Sequence, residues 1–208
     1  MRAVINIQEG DKQYDSMVKR AKEGVQRSDN VFIVARGEDN RKAKIEPLVV
    51  MRDIAFYAAH KIEDGLVFRN DMPDEIIKAA VGNTIDGARI CSLSAVVSFF
   101  PNCPFHKVED WHPVFREEPL FVLTNESRME GAGILFCNDV LHKIWEKIGN
   151  YYIIPSSIHE LLIFADNNSL DREDISQMIV SVNQSIVSEE ERLSNNPFYY
   201  DGELKGGA

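Results

Sequence analysis

Residues 151–167 read YYIIPSSIHELLIFADN. Two apolar, β-branched and aromatic runs, 151–154 and 161–165, flank the polar knot Pro155-Ser156-Ser157-Ile158-His159-Glu160. The two runs have strand composition. Proline ends a strand, and serine hydroxyls satisfy turn amides. The segment therefore predicts two strands joined by a short turn, and with it a β-rich C-terminal unit. The same knot holds a serine, a histidine and a carboxylate, so it is also the first place to look for chemistry.

Working outward from the knot, 120–124 (LFVLT) reads as a strand and 132–136 (AGILF) as a second. Asn138 or Asp139 caps a helix to about Ile148, with Val140, Leu141, Ile144, Trp145 and Ile148 on one side, and Gly149 ends it. Asp171 opens another helix to about Val187, with Ile175, Met178, Ile179, Val182 and Ile186 as its apolar face. These elements predict a β-β-α-β-β-α unit over 120–202, with a frayed tail at 203–208. Residues 101–119 hold four prolines and little periodicity. They read as a connector over the surface, following an N-terminal α/β portion at 1–100. In that portion 2–8 reads as a strand and 11–27 as an amphipathic helix. Residues 31–37 and 51–62 read as strands, and the latter turns at 63–65 into 66–70. A helix follows from about Asp71 to Gly82 or Gly87, and then a strand and short helix in 90–100. The expected class is α+β, with a mixed or antiparallel sheet and helices.

The chain has 208 residues, 44% hydrophobic and 27% charged, with a formal net charge of −10. No apolar run approaches the length of a membrane span, and the first residues lack a signal-peptide core. Three cysteines do not form a disulfide framework, so the cytoplasm is the expected location. The charge is uneven. Residues 1–60 hold 11 Lys/Arg against 9 Asp/Glu, whereas 159–203 hold two Arg against ten Asp/Glu. No basic footprint of a nucleic-acid binder is present beyond the short cluster Arg36 to Lys44. A protein partner is expected instead, or a second copy of the chain.

Candidate residues fall into three sets. His159, Glu160 and Ser157 form a candidate catalytic set for a hydrolase or nuclease-like reaction. In an extended strand His159 and Glu160 point to opposite faces, whereas Ser157 and His159 share one. No G-x-S-x-G elbow surrounds them. Asp166, Asp171, Glu173, Asp174 and Glu189 form a candidate acidic, DNA-like binding face, on condition that they cluster. Phe198, Tyr199 and Tyr200 offer either an apolar clamp onto the domain or a docking surface. Cys103-Pro-Phe-His106, with Cys91 and His112 nearby, has one zinc-like spacing but no second pair, so no metal is expected. No cofactor fingerprint occurs, and none is expected.

Residues 119–202 also resemble a family of bacterial proteins of unknown function, found mostly in gut anaerobes and often on mobile elements. The resemblance is carried by PLFVLTNESRMEGAGILF (119–136), NDVLHKIWEKIGNYYIIPSSIHELLIF (138–164) and SEEERLSNNPFYYD (188–201). It implies no activity. It does place Pro155, Ser156, Ser157, His159 and Glu160 in a family motif. The leading expectation is a non-enzymatic cytoplasmic interaction or regulatory module, in one form a mobile-element or phage inhibitor of a host factor. The alternative is an enzyme centred on His159.

Overall fold

A computed structural model describes residues 28–62, 65–113, 119–155, 157–167, 172–185 and 187–206. The expected strand 2–8 and helix 11–27 lie outside these residues, as do Ser156, Asp171 and Ile186.

β1 (Val31–Arg36), β2 (Val49–Met51), β3 (Ile54–Ile62) and β4 (Gly65–Phe68) form a four-stranded sheet. β3 is its spine. It pairs along its length with β1, with Ile33 opposite Ala58, and shares its other edge between β2 and β4. α1 (Asp74–Gly87) leads to β5 (Ala88–Ser92) and then α2 (Leu93–Phe99). β6 (His106–Lys107), β7 (Leu120–Asn125), α3 (Asn138–Ile148), β8 (Tyr151–Ile154), β9 (Leu161–Ala165), α4 (Arg172–Ser185), β10 (Phe198–Tyr200) and β11 (Leu204–Gly206) follow. Their strands build a seven-stranded sheet in the order β11-β10-β8-β9-β7-β5-β6. Every pairing in both sheets is antiparallel. The class is α+β.

The core explains why so many strand residues are apolar. One buried cluster draws Ile33 and Phe56 from the small sheet, Ile90, Leu123 and Ile163 from the large one, and Leu141 and Ile144 from α3. Strand alternation sends neighbouring residues to the opposite face of the large sheet. There Ile154 and Phe164 meet Ile175 and Ile179 of α4. The main cluster takes residues from both sides of 101–119. The described part of that segment, 101–113, is mostly exposed, as expected of a surface connector, but it is anchored to the core. Cys103, Val108 and Trp111 are buried, Trp111 meets Phe121 edge-on at 4.9 Å, and β6 extends the sheet.

Several expected elements differ. Residues 132–136 are not a strand, because Gly131–Phe136 forms a 3-10 helix. Its residues 131–135 are all buried, and its glycines let the backbone lie against its neighbours, since a Cβ on Gly133 would stand 1.9 Å from the Ile33 carbonyl oxygen. The observed order is therefore strand, 3-10 helix, α3, β8, β9, α4, with β10 and β11 after it. The described part of the tail does not fray, since Leu204–Gly206 pairs with β10. Asp71 does not cap α1; it pairs with Arg69 at 2.7 Å, and the helix starts at Asp74. Asn138 does not cap α3 either, because its Oδ1 accepts the Tyr200 hydroxyl at 3.0 Å. Gly149 ends α3 as expected, with φ of 73°. Met178 is 49% exposed, so α4 buries a narrower stripe than its periodicity predicts.

Candidate functional site

β8 ends at Ile154 and β9 begins at Leu161, so Pro155–Glu160 forms the connection expected from its residues. The connection is tied down on two sides. Ala132 and Gly131 donate their amides to the Ile158 and His159 carbonyls at 3.1 and 3.0 Å. Ile158 donates to the Glu191 carbonyl at 2.9 Å, and Ser194 donates to the Pro155 carbonyl at 3.0 Å. Thr124 Oγ1 also donates to the His159 carbonyl, at 2.8 Å. Glycine at 131 is required by this closeness. A Cβ there would stand 2.5 Å from the His159 carbonyl and 2.4 Å from Thr124 Oγ1.

The buried Ser157 uses its hydroxyl locally, accepting the His159 amide at 3.0 Å. The His159 ring is held at both nitrogens. The Glu130 amide donates to Nδ1 at 3.2 Å. A backbone N–H can only donate, so Nδ1 carries the lone pair and Nε2 carries the proton of the neutral ring. Nε2 then donates to Glu191 Oε1 at 3.3 Å. Glu130 is itself braced. Its carboxylate takes both terminal guanidinium nitrogens of Arg36 in a fork, at 2.5 and 3.0 Å, and Arg36 is buried beside the Phe68 ring. A chain of contacts thus runs from β1 through Arg36, Glu130 and His159 to Glu191.

His159 and Glu160 do not face apart, because the residues before Leu161 bend and strand alternation does not reach them. Both line a cleft of about 340 Å3, with Glu191 and Arg128 as further polar walls and Val96 and Phe100 as apolar ones. Burial pushes the Glu160 carboxyl above the ordinary carboxylate range, with the neighbouring His159 pulling the other way. Arg128 lies over the Phe105 ring at 5.1 Å and donates to the Pro101 carbonyl at 2.8 Å. At the mouth of the cleft, α2 and the residue after it leave Val97, Phe99 and Phe100 exposed by 75%, 60% and 74%.

The other predicted sets do not gather here. Glu173 and Asp174 are exposed in the first turn of α4. Glu189 is exposed beyond its far end, about 21 Å along a helix of this length. Asp166 is half-buried and accepts the Tyr199 hydroxyl at 2.7 Å. Asp171 lies outside the described residues. Phe198 and Tyr200 are core residues, and Tyr200 stacks on Tyr151 at 5.3 Å. They clamp the sheet and leave only Tyr199 half-exposed, so the three aromatics present no docking surface. Cys91, Cys103 and Cys137 are buried. The Cys137 thiol is pushed up to about 12, first by burial and then by Asp139. Among the described residues no three His, Cys, Asp or Glu side chains meet to hold a metal, and no helix is long and apolar enough to cross a membrane.

Glu130, Glu191, Arg36 and Phe100 were not foreseen. Glu191 sits in the run Glu189–Glu191, which reads as a solvated stretch. Glu130 follows a turn with nothing in its neighbours to mark it.

Taken as a class, the described residues form an α+β protein of two antiparallel sheets, with a core-bound turn beside a largely apolar cleft that holds two carboxylates as its candidate site. The chain belongs to the family of unknown function DUF5688, whose sequence pattern matches residues 68–202. That span runs from the end of β4 through β10 and includes Pro155–Glu160. No curated protein and no solved structure matches the chain.

Proposed function

We propose that this protein is a non-enzymatic cytoplasmic interaction module, and that its partner sits on α2 and the mouth of the adjacent cleft. The observation that carries this reading is the exposure of Val97, Phe99 and Phe100 within four residues. Soluble chains scatter exposed apolar residues singly, and contiguous ones mark contact sites. The site chemistry points the same way. A general base needs a free lone pair within reach of a substrate proton. The Nδ1 lone pair of His159 is taken up by the Glu130 amide, and Nε2 is a donor engaged by Glu191. The Ser157 hydroxyl accepts a backbone amide. These contacts suit a turn that holds a surface in place.

In this reading the module regulates its partner by occupying it. A bacterial mobile-element product that blocks a host factor is one setting. Its DNA-like acidic form draws less support than the apolar one, because Glu173 and Asp174 are separated from Glu189 by the length of α4.

The test is a nuclease-treated pull-down from source-cell lysate, read by mass spectrometry. A partner retained by wild type and by a Glu173→Lys/Asp174→Lys protein, but lost with Val97→Asp/Phe100→Asp, is the expected result. The opposite pattern moves the contact to the acidic helix. Turnover of a substrate by wild type and not by His159→Ala would replace the module with an enzyme.

A further inference from the structure

We propose that the cleft beside α2 receives a lysine or arginine side chain of a protein partner, seated against the Glu160 carboxylate. This rests on the reading above and names the feature of the partner that the surface recognises. Glu160 is half-buried on the cleft wall, and none of the described residues donates a hydrogen bond or forms an ion pair to its carboxylate. A half-buried carboxylate that no described donor occupies keeps its acceptor sites open to the cleft, and a charge-assisted bond to an incoming cation is stronger than a neutral one. Glu191 adds a second carboxylate to the same cleft, with its side chain 47% exposed and only Oε1 engaged by His159. Among the described lining residues the one Lys or Arg, Arg128, does not neutralise them. Arg128 is turned onto the Phe105 ring and the Pro101 carbonyl.

The walls suit the rest of such a side chain. Val96 and Phe100 line the cleft and can cover the methylene stem of a lysine or arginine, and the Phe100 ring face attracts a cation. Val97 and Phe99, just outside, would take the partner's neighbouring apolar residues. A single anchoring cation flanked by apolar side chains is a protein feature. The net charge of −10 and the acidic cleft oppose a nucleic acid.

The experiment selects binders for the full chain from a random displayed peptide library, then measures the selected peptides against variants by fluorescence anisotropy. Circular dichroism melts confirm that each variant is folded. The expected pool carries a lysine or arginine beside an aromatic or aliphatic residue. Its binding should be lost with Phe100→Asp and weaken about tenfold or more with Glu160→Gln. Replacing the peptide's basic residue by citrulline or norleucine should weaken binding of the wild type and leave that of Glu160→Gln unchanged. Two outcomes overturn the inference while leaving the docking surface standing. One is a pool lost with Phe100→Asp that lacks basic residues. The other is such a pool that binds Glu160→Gln as tightly as wild type. A library yielding nothing that Phe100→Asp abolishes sinks the surface itself.

Discussion

Two short apolar helical segments of this protein meet opposite fates. Residues 131–136, GAGILF, form a 3-10 helix that is buried almost throughout. Residues 94–100, SAVVSFF, run through α2 and end with Val97, Phe99 and Phe100 in solvent. Each follows a strand of the large sheet, and their hydrophobicity is alike. The difference lies in the glycines. A Cβ on Gly133 would stand 1.9 Å from the Ile33 carbonyl oxygen, so the 3-10 helix lies directly on the β1 backbone. No glycine in 94–100 permits such an approach. Burial here is decided by how closely a backbone can come, and apolar side chains alone do not secure it.

The contrast can be broken at graded points. Gly133→Ala should have the largest effect, about 3 kcal/mol or more of lost stability in urea titrations, because the nearest atoms are backbone and cannot swing aside. Loss of under 1 kcal/mol would show that the 3-10 helix is not held by this contact. Arg36→Ala removes the fork that holds Glu130, the residue leading into that helix. With Glu130 partly exposed, a cost of about 2–3 kcal/mol is expected, at the lower edge of broken buried pairs.

His159→Ala gives up one accepted and one donated hydrogen bond and should cost about 1–2 kcal/mol. His159→Asn places an acceptor near the former Nδ1 position. It should recover part of the loss by taking the Glu130 amide while leaving Glu191 unbound. Equal losses in both variants would show that the ring packs without using Nδ1.

Glu160→Gln should act in the other direction. Burial raises the folded carboxyl's pKa, so the folded chain holds that proton more tightly than the unfolded one. Ionised Glu160 therefore lowers stability at neutral pH, and the penalty is relieved as pH falls through the raised pKa. Thermal melts should place Glu160→Gln above wild type at pH 7, with the gap closing on acidification. A gap that widens on acidification would reverse the assignment. The smallest effect belongs to the exposed segment. Phe100→Asp should leave stability within about 0.5 kcal/mol of wild type, so any loss of binding it causes is a loss of surface.

Much of this fold is legible in local pattern. The β-branched runs at 31–36, 54–62 and 151–154 are strands, and the periodic Val140, Leu141 and Ile144 face the core. The chain turns between β8 and β9, as Pro155 and Ser157 predict. The segment 132–136 misleads because a short apolar run carries no period that separates a strand from a tight helix. At the candidate site Ser157 was readable, since its bond to the His159 amide spans two residues. The engagement of His159 was not, because Glu130 and Glu191 lie 29 and 32 residues away in the chain.

Residue order sets the α+β class, the C-terminal end of α3 and the turn at Pro155, because strand propensity, helical period and turn chemistry all act over a few neighbours. Packing settles which apolar run enters the core, where Glu160 points and that both nitrogens of His159 are held. Those outcomes depend on backbone approach and on donors brought from distant parts of the chain, and no local pattern records either.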